Sequence, residues 1–122
     1  RRGDSPGMKW IEFTAWLNRL LDLHPTGLIC YEQAHHRGGA ATHSAHGFIS
    51  CVEKVAAERG IELTNRHSSD IKKHALPNSK NRSKAKMVQA AENKWPDLDI
   101  IDDNHSDALW LLDLVKKELA ID

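Results

Sequence analysis

Among 122 residues there are only two cysteines, Cys30 and Cys51. So few exclude the disulfide framework that holds small secreted domains together. Cys30 falls in an apolar run and Cys51 on a helical pattern, so both read as buried, reduced thiols of a cytosolic protein. Long apolar runs are missing too. The longest, residues 28–31 and 108–112, are far shorter than the roughly 20 residues that span a bilayer, and no membrane partner is expected. No apolar stretch follows the charged start at Arg1-Arg2-Gly3-Asp4, so the chain has no visible signal peptide. Internal repeats and low-complexity tracts are absent. Net charge is absent as well, with 17 Lys and Arg against 17 Asp and Glu.

The remaining composition, 40% hydrophobic and 28% charged, is that of a globular protein. Its length suits one domain covering residues 1–122. The zero net charge hides a polarity. Residues 66–86 carry seven basic side chains, Arg66, Lys72, Lys73, Lys80, Arg82, Lys84 and Lys86, against Asp70 alone, a net +6. Residues 97–122 carry eight acids against Lys116 and Lys117, a net −6. Such a split suits a protein that holds phosphates with one segment and cations with another, or two solvated faces that neutralise each other.

Residues 1–7 read as a polar loop. Apolar positions at Trp10, Ile11, Phe13, Trp16, Leu17, Leu20 and Leu21 predict a helix over 8–23, ended by Pro25 and Gly27. Residues 28–31 read as a strand covered on both faces, running into Glu32. A helix over 41–59 stops at Gly60, and residues 61–64 alternate as a second strand. Ser68-Ser69-Asp70 is a cap for a short helix to His74; a loop spans 77–81. Helices over 83–94 and 106–120 follow, the last capped by Asp102-Asp103-Asn104. Strand, long helix, strand implies parallel pairing in an α/β fold. Two strands are few for these helices, so further strands are expected ahead of Arg1.

Glu32 ends an apolar strand, where an ionised carboxylate is costly unless paired or bound to metal. It either bonds Arg37 or a nearby histidine, or serves a site, since the ends of parallel strands are where α/β sheets carry their chemistry. Asp103 and Asp107 are four apart at the head of the last helix, on a face that Leu111 and Val115 continue. They are an acidic cap favoured by the helix dipole, or two ligands of one cation. Glu32, Asp103 and Asp107 together are hard oxygen donors of the kind magnesium accepts. Two such ions activate water and stabilise the leaving oxygen of a phosphodiester, and the basic segment would hold the backbone being cut.

The run Tyr31-Glu32-Gln33-Ala34-His35-His36-Arg37-Gly38-Gly39 resembles the second catalytic motif of phage-type RuvC Holliday-junction resolvases. Asp102-Asp103-Asn104-His105-Ser106-Asp107-Ala108-Leu109 resembles that family's closing motif, and Ile71-Lys72-Lys73-His74 and Ser83-Lys84-Ala85-Lys86 resemble its DNA-contacting basic positions. The resemblance spans about residues 28–119. It implies an RNase H-like mixed sheet flanked by helices and a metal-dependent endonuclease that resolves four-way junctions or related branched DNA, using Mg2+ or Mn2+. It also implies a homodimer, matching the twofold junction, in the cytoplasm of a bacterium or phage-infected host. Glu32 and Asp107 are then metal ligands and catalytic, with Asp103 or Asn104 as a further ligand. His36 and Arg37 join the basic segment in contacting DNA, and His36 and His105 are the histidines placed to act near the strand end. The family's leading β-meander and its essential Asp have no counterpart before Met8, so the chain is expected to be N-terminally incomplete and inactive if that Asp is not supplied.

Other readings compete. Arg2-Gly3-Asp4-Ser5 and the sequon Asn81-Arg82-Ser83 have no secreted context. His43 and His46 with a cysteine match no usual zinc spacing. A non-catalytic DNA-binding module would use residues 66–86 and leave the acids on the surface, but would have no need of Glu32.

Overall fold

The apolar spacing early in the chain does wind into a helix, α1 (Pro6–Leu23). It begins two residues before the expected Met8. Ser5 accepts the Met8 N–H at 3.2 Å, and a proline is readily accommodated in the first turn, where N–H groups lack helical partners anyway. The polar loop expected over 1–7 is therefore shortened by the helix start. The computed structural model describes residues 5–34 and 39–120. Within them the order continues as β1 (Leu28–Glu32), α2 (Ala40–Arg59), β2 (Glu62–Arg66), α3 (Ser68–Ala75), α4 (Lys84–Lys94) and α5 (Asp103–Glu118). The protein is thus α/β. No helix among the described residues is long and apolar enough to cross a membrane.

The two strands pair with each other. Glu62 N–H donates to the Gly27 carbonyl at 3.2 Å and Gln33 N–H to the Arg66 carbonyl at 2.9 Å. Both registers advance together, so the pairing is parallel, with α2 as the crossover that parallel strands require. Gly60 ends α2 at φ 67°, ψ 32°, a left-handed position that glycine adopts without a Cβ penalty.

Four expectations need correction. Leu28–Tyr31 are only half-buried and Glu32 is exposed, because a two-stranded sheet has no inner strand. The desolvation argument for Glu32 therefore lapses. Both cysteines are free but half-buried rather than fully enclosed. The cap of α3 is His67, whose Nδ1 accepts the Ser69 N–H at 3.1 Å, instead of the Ser-Ser-Asp run. The final helix starts three residues earlier than expected and ends at Glu118, with Asp102 accepting the His105 N–H at 2.8 Å.

Two compact units share the chain. One comprises Arg1–Ile29 and Ala34–Thr64, the other Cys30–Gln33 and Asn65–Asp122. In the first, Leu17, Leu21 and Val55 form a core joined by Phe13, Ile29, Val52 and Ile61. Arg59 reaches from α2 to α1, giving hydrogen bonds to Asn18 and a 2.7 Å ion pair with Asp22. In the second, Ile71, Met87, Ala91, Trp110, Leu111, Leu114 and Val115 are buried where α3, α4 and α5 meet. Ser106, fully buried, and Trp110 Nε1 both donate to the Met87 carbonyl, so the one buried hydroxyl on that face of α5 is satisfied.

Candidate metal and nucleic-acid site

The second unit places the end of β1 beside the first two turns of α5. Between them lies a cavity of about 290 Å³, lined by Cys30, Tyr31 and Glu32 from the strand and by Asn104, Asp107, Ala108 and Leu111 from the helix. Strand register and helix pitch produce this meeting. Glu32 is the last residue of β1, and positions 104, 107, 108 and 111 recur at three- and four-residue intervals on one helical face.

Two carboxylates and one amide therefore face a single space, with an apolar wall behind them. Asp103 is not among the lining residues. One residue before Asn104, it is turned about 100° around the helix and instead meets Lys84 Nζ at 3.5 Å. Of the two alternatives at this position, Asn104 shares the cavity with Glu32 and Asp107. Burial, reinforced by the neighbouring Asp103 charge, pushes the Asp107 carboxyl above its ordinary value; Lys72 and Lys84 pull the other way. Burial likewise raises the Cys30 thiol, with Arg66 opposing. A carboxylate held in its charged form against desolvation and a like charge is one that a cation relieves.

The donor set fits magnesium in kind. Two carboxylate groups and an amide carbonyl offer hard oxygens, and magnesium commonly takes only one or two carboxylates while keeping several waters. Among the described residues no group of three His, Cys, Asp or Glu side chains is arranged to hold a metal ion.

Beside the site, side chains on the ends of the two strands interlock. Gln33 Nε2 donates to Asn65 Oδ1 at 2.8 Å, and Asn65 Nδ2 to the Tyr31 hydroxyl at 3.2 Å. His105 is part of the α5 cap, its Nδ1 accepting the Ile101 N–H at 3.1 Å. Through that contact the ring braces the turn carrying Asn104.

The basic segment divides. Arg66 uses all three guanidinium nitrogens, Nε and Nη2 on Glu118 and Nη1 on the Asn65 carbonyl. Arg82 Nε donates to the Leu76 carbonyl at the C-terminal end of α3. Lys72, Lys73, Lys80, Lys84 and Lys86 are exposed. His36 and Arg37 lie outside the described residues, as do any contacts of Glu32 with them.

Sequence reasoning missed His74 and Asp113. His74 Nε2 lies 2.8 Å from Asp113 Oδ2, and Lys94 Nζ approaches the same oxygen at 3.4 Å. Trp95 and Trp110 pack with ring centroids 4.8 Å apart and planes tilted by 58°, and Lys94 Nζ lies within 5.9 Å of both rings. Nothing in the linear spacing of these residues, on three different helices, signals the cluster. No protein-family model matches the chain, and no curated protein matches it.

Proposed function

We propose that this protein is a metal-dependent endonuclease of RuvC-like, RNase H-like type, acting on four-way junctions or related branched DNA. The observation that carries the reading is the convergence of Glu32, Asn104 and Asp107 on one cavity beside exposed lysines. The α/β order with a parallel strand–helix–strand unit and an acid-bearing last helix also supports it.

In this reading Glu32 and Asp107 hold Mg2+ or Mn2+ through carboxylate oxygens, and Asn104 adds its amide oxygen. An ion held there would supply Lewis acidity, activating water and stabilising the leaving oxygen. Lys72 and Lys84, whose charges already act on Asp107, hold the neighbouring phosphates. A homodimer in the cytoplasm of a bacterium or phage-infected cell presents two such sites to the two halves of a junction.

A non-catalytic branched-DNA-binding module is the second reading. It uses the exposed lysines of residues 66–86 and needs no carboxylate at the end of β1. Nicking of a labelled four-way junction in magnesium separates the two. The nuclease reading expects cleavage by the wild type, reduced by roughly two orders of magnitude or more in Glu32→Gln, with junction affinity in calcium retained. Junction binding without any wild-type cleavage selects a non-catalytic reading, either a DNA-binding module or an inactive form of such a nuclease.

A further inference from the structure

We propose that Asn65 is a positioning residue for the metal site, gripping the residues on either side of Glu32 and so fixing the direction in which β1 delivers its carboxylate. The proposal rests on the metal-dependent reading above and adds a residue that reading does not use.

Glu32 is the exposed last residue of β1, and β1 pairs with β2 alone. A two-stranded ribbon is marginally stable by itself, so its terminal residue needs further restraint to hold one direction. Beyond Glu32 the chain is tied to β2 by the Gln33 N–H, which donates to the Arg66 carbonyl at 2.9 Å. Side chains alternate along a strand, so Tyr31 and Gln33 share the face opposite to that of Glu32. Asn65, on the neighbouring strand, bridges them. Its Oδ1 accepts from Gln33 Nε2 at 2.8 Å, and its Nδ2 donates to the Tyr31 hydroxyl at 3.2 Å. A primary amide suits this place because one short planar group offers both an acceptor and donors. With both flanks held, rotation of the Glu32 backbone breaks one of these bonds. Across the cavity, Asn104 and Asp107 are carried by the helix α5, so Glu32 is the ligand whose placement depends on a strand end. Magnesium demands near-ideal octahedral geometry, which makes that placement matter for affinity. Asn65 is not among the residues lining the cavity; it acts through Glu32.

The test is Mn2+ binding by the full chain, followed by electron paramagnetic resonance of the free ion at a temperature where circular dichroism shows each variant folded. Asn65→Leu should weaken Mn2+ binding by about tenfold, the low end of what loss of a ligand-orienting group costs. Tyr31→Phe, which keeps the ring and removes the hydroxyl, should weaken it in the same direction. The double variant should bind no more weakly than Asn65→Leu alone, since both changes break one bridge. Gly47→Ala, a destabilising change in the first unit, should bind Mn2+ as the wild type does. Wild-type affinity in folded Asn65→Leu overturns the proposal; if that variant does not fold, wild-type affinity in Tyr31→Phe does so. Additive losses in the double variant, or an equal loss in Gly47→Ala, overturn it too. Those outcomes leave the nuclease reading standing, whereas a wild type that binds no Mn2+ overturns both.

Discussion

His74 Nε2 and Asp113 Oδ2 stand 2.8 Å apart, joining α3 to α5 in the second unit. Lys94 of α4 shares the same oxygen at 3.4 Å, so one carboxylate ties three helices. Burial alone would raise the Asp113 carboxyl, but the hydrogen bond from His74 and the charge and hydrogen bond of Lys94 outweigh it and hold the group below its ordinary value of 3.8.

The sign of the resulting pH dependence follows. A depressed folded-state value means that ionised Asp113 contributes stability above pH 3.8, the unfolded reference, and loses it as pH falls through the lowered value. Asp113→Asn should reduce stability at neutral pH by about 1–3 kcal/mol, the range for a hydrogen bond to a charged group with its partner left behind. Thermal melts of the two proteins should converge in acid. A difference that persists unchanged below the lowered value would assign the loss to packing instead.

Gly47 gives a test confined to the first unit. A Cβ there would run into the Trp10 ring, which is itself held edge-on to Phe48 at 5.1 Å. Gly47→Ala should therefore lower stability by about 1–3 kcal/mol despite alanine's better helix propensity. Trp10→Ala in the same chain should remove that penalty. A double-mutant cycle with additive losses would contradict the steric account.

At Asp107 the charge works against the fold. Burial first, and Asp103 second, raise its carboxyl, so the penalty is absent below pH 3.8 and grows as pH rises through the raised value. Asp107→Asn should raise Tm at neutral pH in the absence of divalent ions, with no gain in acid. Added magnesium should raise the wild-type Tm by mass action and leave the variant unmoved. Equal responses of the two proteins would place the ion elsewhere.

Much of the fold was legible because its signals are local. Ser83 and Asp102 cap α4 and α5 through bonds three residues ahead, and Gly60 closes α2 in the left-handed conformation. The strand–helix–strand order implied the parallel pair. What failed depends on long-range contact. Glu32 was expected to be buried, yet burial of a strand end is set by how many strands flank it. Arg66 and Arg82 read as free cations until Glu118, 52 residues away, and the Leu76 carbonyl entered. That Asn104 lines the cavity while Asp103 meets Lys84 follows from one residue's rotation about α5, which spacing constrains but does not place against a strand. The His74, Lys94 and Asp113 cluster combines three helices and has no sequence pattern at all.

The most direct measurement is a gel shift comparing a synthetic four-way junction with linear duplex of the same sequence, in calcium so that cutting is suppressed. Strong preference for the junction is the expected result, weakened as salt rises because lysine–phosphate contacts release counterions. Equal, weak retention of both DNAs would contradict the central claim that this protein recognises branched DNA.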